Sequence, residues 1–281
     1  MTDDPFSFCL NTSTIRGQTL SLIGEIEIVA AAGYDGIEPW IRELDAFVES
    51  GGSLESLGQR IADLGLVVPN VIGFFEWAVD DQDRRDAGLN EAQRNMEMCL
   101  QLGCSQLAAP PFGVTEVRID LDRLCERYRA LLEIGAVTGV TPVLEFWGIA
   151  KTLGTLGEAV HVAVATGHRD ARVLADVYHM YKGGSPHNGL HLLGPETLGL
   201  VHINDYPSDP PLDTITDADR VLPGDGAAPL ARILGDLEHV GYRGMLSLEL
   251  FNEEIWQRDA LTVAKEGLDK MQRVVAARKV G

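Results

Sequence analysis

Basic residues are scarce in this chain: 23 Lys and Arg stand against 42 Asp and Glu, giving a formal net charge of −19 and a pI near 4.6. A surface of that sign repels phosphates, so nucleic acid and anionic membranes are poor partners, and a neutral or weakly charged small molecule fits better. Cysteine is sparse as well. Cys9, Cys99, Cys104 and Cys125 form no C-x-x-C pair and lie in apolar stretches, as reduced core residues of a cytosolic protein do. No apolar run approaches the length that spans a bilayer, and residues 1–4 (MTDD) carry acids where a signal peptide needs bases. The expected location is the cytoplasm, with no membrane partner. Nucleotide and hydrolase signatures are missing too: no G-x-G-x-x-G follows the first strand-like run, and neither a P-loop GK[ST] nor a G-x-S-x-G occurs. The acids Asp217 and Asp219 lack the third ligand and the glycine of an EF-hand loop.

Alternating strand-like and helical runs fill the chain. Strands are expected at 6–10, 36–40, 67–72, 106–109, 141–147, 173–179, 200–205 and 245–251, with helical spacing between them, as in Leu89, Ala92, Met96 and Cys99 or Leu261, Ala264, Leu268 and Met271. Glycines Gly33, Gly65, Gly103, Gly139 and Gly241 fall where helices should end before strands, the place of left-handed C-caps. Eight strands each followed by a helix make a (β/α)8 TIM barrel, read here as a single domain over residues 1–281. A doubly wound open sheet is the alternative.

Four of those strands end in a hard ligand: Glu145 in TPVLEFW, Asp176 in VLADVYH, His202 in LVHIND and Glu249 in MLSLELF. Parallel barrel strands bring such ends to one face, where the chemistry of this architecture lies. Any one of the four alone could be a strand-end acid or a core histidine. Together they point to one divalent metal ion, Mn2+, Zn2+, Co2+ or Mg2+. Glu145 and Glu249 sit within apolar runs, where an unpaired carboxylate is costly and a cation removes the cost. His179 and Asp205 follow the ligands by three residues and are candidates for substrate contact or for supporting the ligands, although a loop histidine and a turn-forming Asp fit them equally. The Pro- and Asp-rich stretch 205–225 leaves the barrel just after His202 and is expected to lie over its mouth. Trp40, Phe74, Trp147 and Trp256 are candidates to line a pocket there.

These segments carry a resemblance. LEFWG around Glu145, LADVYHM from Leu174 to Met180, VHIND around His202, ITDADRVLPGDG from Ile215 to Gly226 and LSLELF around Glu249 resemble the sugar-phosphate isomerase/epimerase family, with its xylose-isomerase-like barrel. The TDADRVLPGDG stretch is most similar to the inosose-isomerase branch. The resemblance covers nearly the whole chain. It implies metal ligation by Glu145, Asp176, His202 and Glu249 and substrate contacts from His179 and Arg220, with Trp147 and Asp205 as further candidates.

The activity expected is isomerisation or epimerisation of a polyhydroxylated ketone, an inosose or keto-sugar, through an enediolate, with Glu145 and Glu249 moving the proton. A lyase or dehydratase acting on an inosose or 3-keto-glycoside at the same metal site is the alternative. The multi-zinc DNA-repair branch of the superfamily is opposed by the charge of −19 and by a histidine count of only seven. Homo-oligomerisation is left open by the sequence.

Overall fold

The computed structural model describes residues 5–278; the acidic start at residues 1–4 lies outside them. Seven parallel strands form one sheet: β1 (Ser7–Asn11), β2 (Gly36–Glu38), β3 (Gln106–Ala109), β4 (Thr141–Glu145), β5 (Val173–Asp176), β6 (Leu198–Ile203) and β7 (Met245–Leu248). Their spatial order is β2-β1-β7-β6-β5-β4-β3. The eighth segment, residues 67–72, closes the ring. It pairs in parallel with β2 at Gly36↔Val67 and, just beyond β2, at Trp40↔Ile72, and with β3 at Val71↔Leu107. It does so as isolated bridges because Pro69 has no N–H to give and breaks the ladder. Each expected glycine cap has the left-handed backbone: φ is +95° at Gly33, +78° at Gly65, +86° at Gly103, +81° at Gly139 and +83° at Gly241.

Two apolar layers result. The larger lies between strands and outer helices. The smaller fills the barrel with Trp40, Ile72, Ala108, Val143, Leu174 and Leu200. Side chains alternate along a strand, so the residue two positions beyond each of these inner residues shares its face. Val143 is thus followed inward by Glu145, Leu174 by Asp176 and Leu200 by His202. The apolar plug and the polar ligand layer are consecutive storeys of one interior. Residues Asp176↔His202 and His202↔Ser247 are aligned partners across β5, β6 and β7.

Several strands are shorter than their sequence runs. β5 stops at Asp176, whose Oδ1 accepts the His179 N–H at 2.7 Å and so caps a short helix, Val177–Lys182. His179 therefore lies on a helix rather than on a strand. Glu249 stands one residue past β7. Among the described residues no helix is long and apolar enough to cross a membrane.

Candidate metal centre and pocket

Asp176, His202 and Glu249 converge at the C-terminal end of the barrel, with one ligand atom from each inside a span of 4.8 Å. His202 Nδ1 lies 3.2 Å from Glu249 Oε2 and 3.6 Å from Asp176 Oδ2. On the other side of the ring, Nε2 is 3.1 Å from both oxygens of Glu38. The proton on Nε2 therefore points at Glu38, and the Nδ1 lone pair points at the two acids.

Glu38 is held in turn by Asn11 Nδ2 (2.9 Å), Asn70 Nδ2 (2.8 Å) and Ser247 Oγ (2.6 Å). These donors and His202 keep its carboxyl below the ordinary carboxylate range even though burial pushes the other way. A carboxylate behind a histidine fixes the ring's tautomer and orientation, as it does for metal-ligating histidines. Sequence reading misses Glu38, although GIE ends a strand in an acid just as the segments of Glu145, Asp176 and Glu249 do.

Nδ1 of His202 is buried without a hydrogen-bond partner among the described residues. Burial would lower the pKa of this imidazole, but Glu249 and Glu38 outweigh that and raise it well above the usual value. The cluster thus demands positive charge at Nδ1. A proton or a cation can supply it. One buried nitrogen and two carboxylate oxygens form a donor set suited to a borderline divalent ion, and the residues present fit such an ion.

Arg220 supplies part of the charge. Its buried guanidinium donates from Nη1 to Asp176 Oδ2 (3.0 Å) and Glu249 Oε2 (2.9 Å), and from Nη2 to Asp217. Burial raises the cost of charging Asp176, yet Arg220 and His179 hold its carboxyl far below the usual range. His179 faces a donor on each side, the Gly148 N–H 3.3 Å from Nδ1 and Arg220 Nη2 3.2 Å from Nε2. A neutral imidazole can accept only one of the two, so one ring nitrogen keeps a proton and His179 and Arg220 together offer N–H donors at the pocket wall.

Glu145 lies outside the three-residue group but lines the pocket with only 4 % of its surface exposed. Burial, reinforced by Glu249 and Asp176 and opposed by His202, pushes its carboxyl up to about 8. The cavity measures about 500 Å³, and Trp40, Phe74, Trp147 and Trp256 all line it. Phe74 meets Trp40 edge-on at 5.3 Å and Trp147 at 5.4 Å, making an apolar wall.

The stretch 205–225 reaches the cavity through Asp217, Ala218 and Arg220. Asp205 does not line it. Its carboxylate accepts backbone N–H groups of Tyr206 (2.8 Å), Gly224 (3.0 Å), Gly226 (3.1 Å) and Ala228 (2.9 Å), so it ties the base of the loop together. The turn-forming reading describes it, and substrate contact does not. Asp205→Ala would strand several of these donors and is expected to cost about 3 kcal/mol in urea unfolding. An unchanged unfolding midpoint would contradict this.

The chain is similar to known proteins over most of its length. It is 31% identical to the inosose isomerase of Halalkalibacterium halodurans, over 95% of this chain and 96% of that one. It is 27% identical to the 3-dehydroshikimate dehydratase of Pseudomonas aeruginosa, over 89% of this chain and 40% of that longer one. A solved structure of the IOLI protein with a binding zinc atom shares the fold at a TM-score of 0.90 and 24% identity, covering 98% of this chain and 100% of that one. The family model of the xylose isomerase-like TIM barrel matches residues 26–274, and the chain belongs to that family.

Proposed function

We propose that this enzyme is a divalent-metal-dependent isomerase or epimerase of a polyhydroxylated ketone, an inosose or keto-sugar. The observation that carries the reading is the buried Nδ1 of His202, which makes no hydrogen bond among the described residues yet faces Glu249 Oε2 at 3.2 Å and Asp176 Oδ2 at 3.6 Å. The resemblance to inosose isomerases supports the choice of substrate class. An ion held by Asp176, His202 and Glu249, with Glu145 as a fourth ligand from the pocket side, would polarise the substrate carbonyl and favour the enediolate.

The chain's own residues supply the rest. His179 and Arg220, which line the pocket side by side, orient a substrate oxygen. Trp147 and its aromatic neighbours pack on the apolar face of the carbon skeleton and keep water away. With the ion bound, its charge favours the ionised form of the Glu145 carboxyl that burial otherwise pushes up to about 8. Glu145 then takes the proton from the carbon next to the carbonyl, while Glu249 stands as the second carboxylate for its return. A dehydratase on the same residues is the second reading, favoured by the 3-dehydroshikimate dehydratase relative. It shares the proton abstraction and differs in expelling a β-hydroxyl.

Calorimetric titration of chelator-treated protein tests the metal. Wild type should take up about one Mn2+ or Zn2+ per chain, and His202→Ala should abolish binding. Glu38→Gln, which removes the carboxylate behind the histidine, should weaken it about 10–100-fold. Uptake that His202→Ala leaves unaltered would remove the basis of the proposal. Product analysis by NMR with an inosose panel then separates isomerase from dehydratase.

A further inference from the structure

Two arginines border the pocket and form no ion pair among the described residues. Arg16 lies in the short helix after β1 (Thr12–Gln18) and Arg42 in the first turn of the helix after β2 (Ile41–Glu49), so both stand in segments that follow strands at the catalytic end of the barrel. They bracket Trp40, with guanidinium carbons 4.2 Å and 4.8 Å from its ring centroid. Both line the cavity. Nε and Nη2 of Arg16 are buried without a hydrogen-bond partner among the described residues.

The carboxyls of Glu43, Glu249 and Glu25 favour that charge through space, but among the described residues none forms an ion pair with Arg16. Glu43 accepts the Thr12 hydroxyl at 2.7 Å and the Trp40 N–H at 2.9 Å. Glu25 shares a hollow behind the pocket with both arginines, but burial, with Glu43 adding to it, pushes its carboxyl up to about 8. It is then largely protonated at neutral pH. Buried N–H groups without acceptors are costly, and here two of them persist on the half-buried guanidinium of Arg16 in a chain of net charge −19 with carboxylates available elsewhere. A planar fork of N–H donors beside a ligand cavity suits a carboxylate or a phosphate.

We propose that Arg16 and Arg42 form an oxyanion subsite, and that the substrate carries a carboxylate or phosphate besides its ketone and hydroxyls. The proposal rests on the reading that the ketone end sits at Arg220 and His179. Phe251 lies near both ends, its ring centroid 5.7 Å from the Arg16 guanidinium and 5.2 Å from that of Arg220, so the two groups are at most about 11 Å apart. A six-membered carbon ring with an acidic group opposite the reacting carbon fits within that limit.

The test is equilibrium binding of ligands that lack a ketone and cannot react: myo-inositol, its 1-phosphate, and quinate as a cyclic polyol carboxylate. Calorimetry and tryptophan fluorescence should show at least one anionic ligand binding wild type about tenfold or more tightly than myo-inositol. The anion that is preferred identifies the group. Arg16→Gln and Arg42→Gln should each bring that preference, read as the ratio of anionic-ligand to myo-inositol affinity within the same variant, to within about threefold, and Arg16→Lys should give an intermediate ratio. Arg42 is exposed, so its variant keeps the test informative if Arg16→Gln unfolds. Equal affinity for all three ligands, absence of binding by all three at millimolar concentration, or a preference that survives both Gln substitutions would overturn the subsite. Deuterium exchange into the carbon next to the carbonyl, followed with a neutral inosose and with a cyclic keto-acid, reads the reaction separately. Exchange into either ketone without anion preference rejects the subsite alone, and anion preference without exchange into either ketone rejects the reaction alone.

Discussion

Glu145→Gln should lower turnover about 10²–10⁴-fold, the range a positioned general base contributes, while affinity for the divalent ion falls only a few-fold. The two effects separate because Glu145 stands outside the group formed by Asp176, His202 and Glu249. Gln keeps an oxygen and the side chain's shape, and it loses only the capacity to accept a proton. Glu249→Gln should behave differently. Its Oε2 faces both His202 and Arg220, so the substitution disturbs the cation's surroundings as well as the second carboxylate, and metal affinity and turnover should fall together. Steady-state kinetics at saturating metal, set beside metal titrations, distinguishes the two patterns. A Glu145→Gln enzyme with wild-type turnover would place the base elsewhere.

Arg220→Ala should destabilise the metal-free protein by about 3–5 kcal/mol, the usual consequence of removing one member of a buried ion pair. The guanidinium is fully buried against two carboxylates, and its loss leaves both uncompensated beside Glu38 and Glu145. Burial opposes charge on Arg220, but Asp176, Asp217 and Glu249 more than reverse that and hold it protonated throughout. A saturating divalent ion supplies positive charge to the same oxygens, so the deficit in urea unfolding should shrink when Mn2+ or Zn2+ is present. Turnover should stay depressed, because His179 would face the substrate oxygen without its companion donor. A deficit of equal size with and without the ion would argue that Arg220 acts only on packing.

The ligand layer was legible in the sequence because it obeys the period of a strand. An acid or histidine two residues past an inward apolar residue occupies the next storey of the barrel, and Glu145, Asp176 and His202 follow that rule. Glu38 shares the layer without obeying the rule, since the residue two positions before it is Gly36, and its part in the site shows only in its contact with His202. His179 was assigned to a strand because VLADVYH is apolar at strand-like density. What ended that strand was the capping bond from Asp176, a residue read only as a ligand. The eighth strand was visible as an apolar run, and its reduction to bridges follows from Pro69. Asp205 illustrates the limit of motif reading: a carboxylate three residues after a ligand can serve the backbone as readily as a substrate, and only the positions of Gly224, Gly226 and Ala228 decide. Arg16 and Arg42 left no sequence signal, since their isolation depends on side chains brought together from two separate loops.

The most direct measurement of the central claim is to incubate metal-loaded enzyme with an inosose in D2O and follow the carbon next to the carbonyl by NMR. Abstraction and return of a proton by buried carboxylates predicts deuterium at that carbon in product or recovered substrate, dependent on added divalent ion and lost in Glu145→Gln. Product formed without any solvent deuterium, by a Glu249→Gln enzyme that remains active, would contradict proton transfer and require a hydride shift instead.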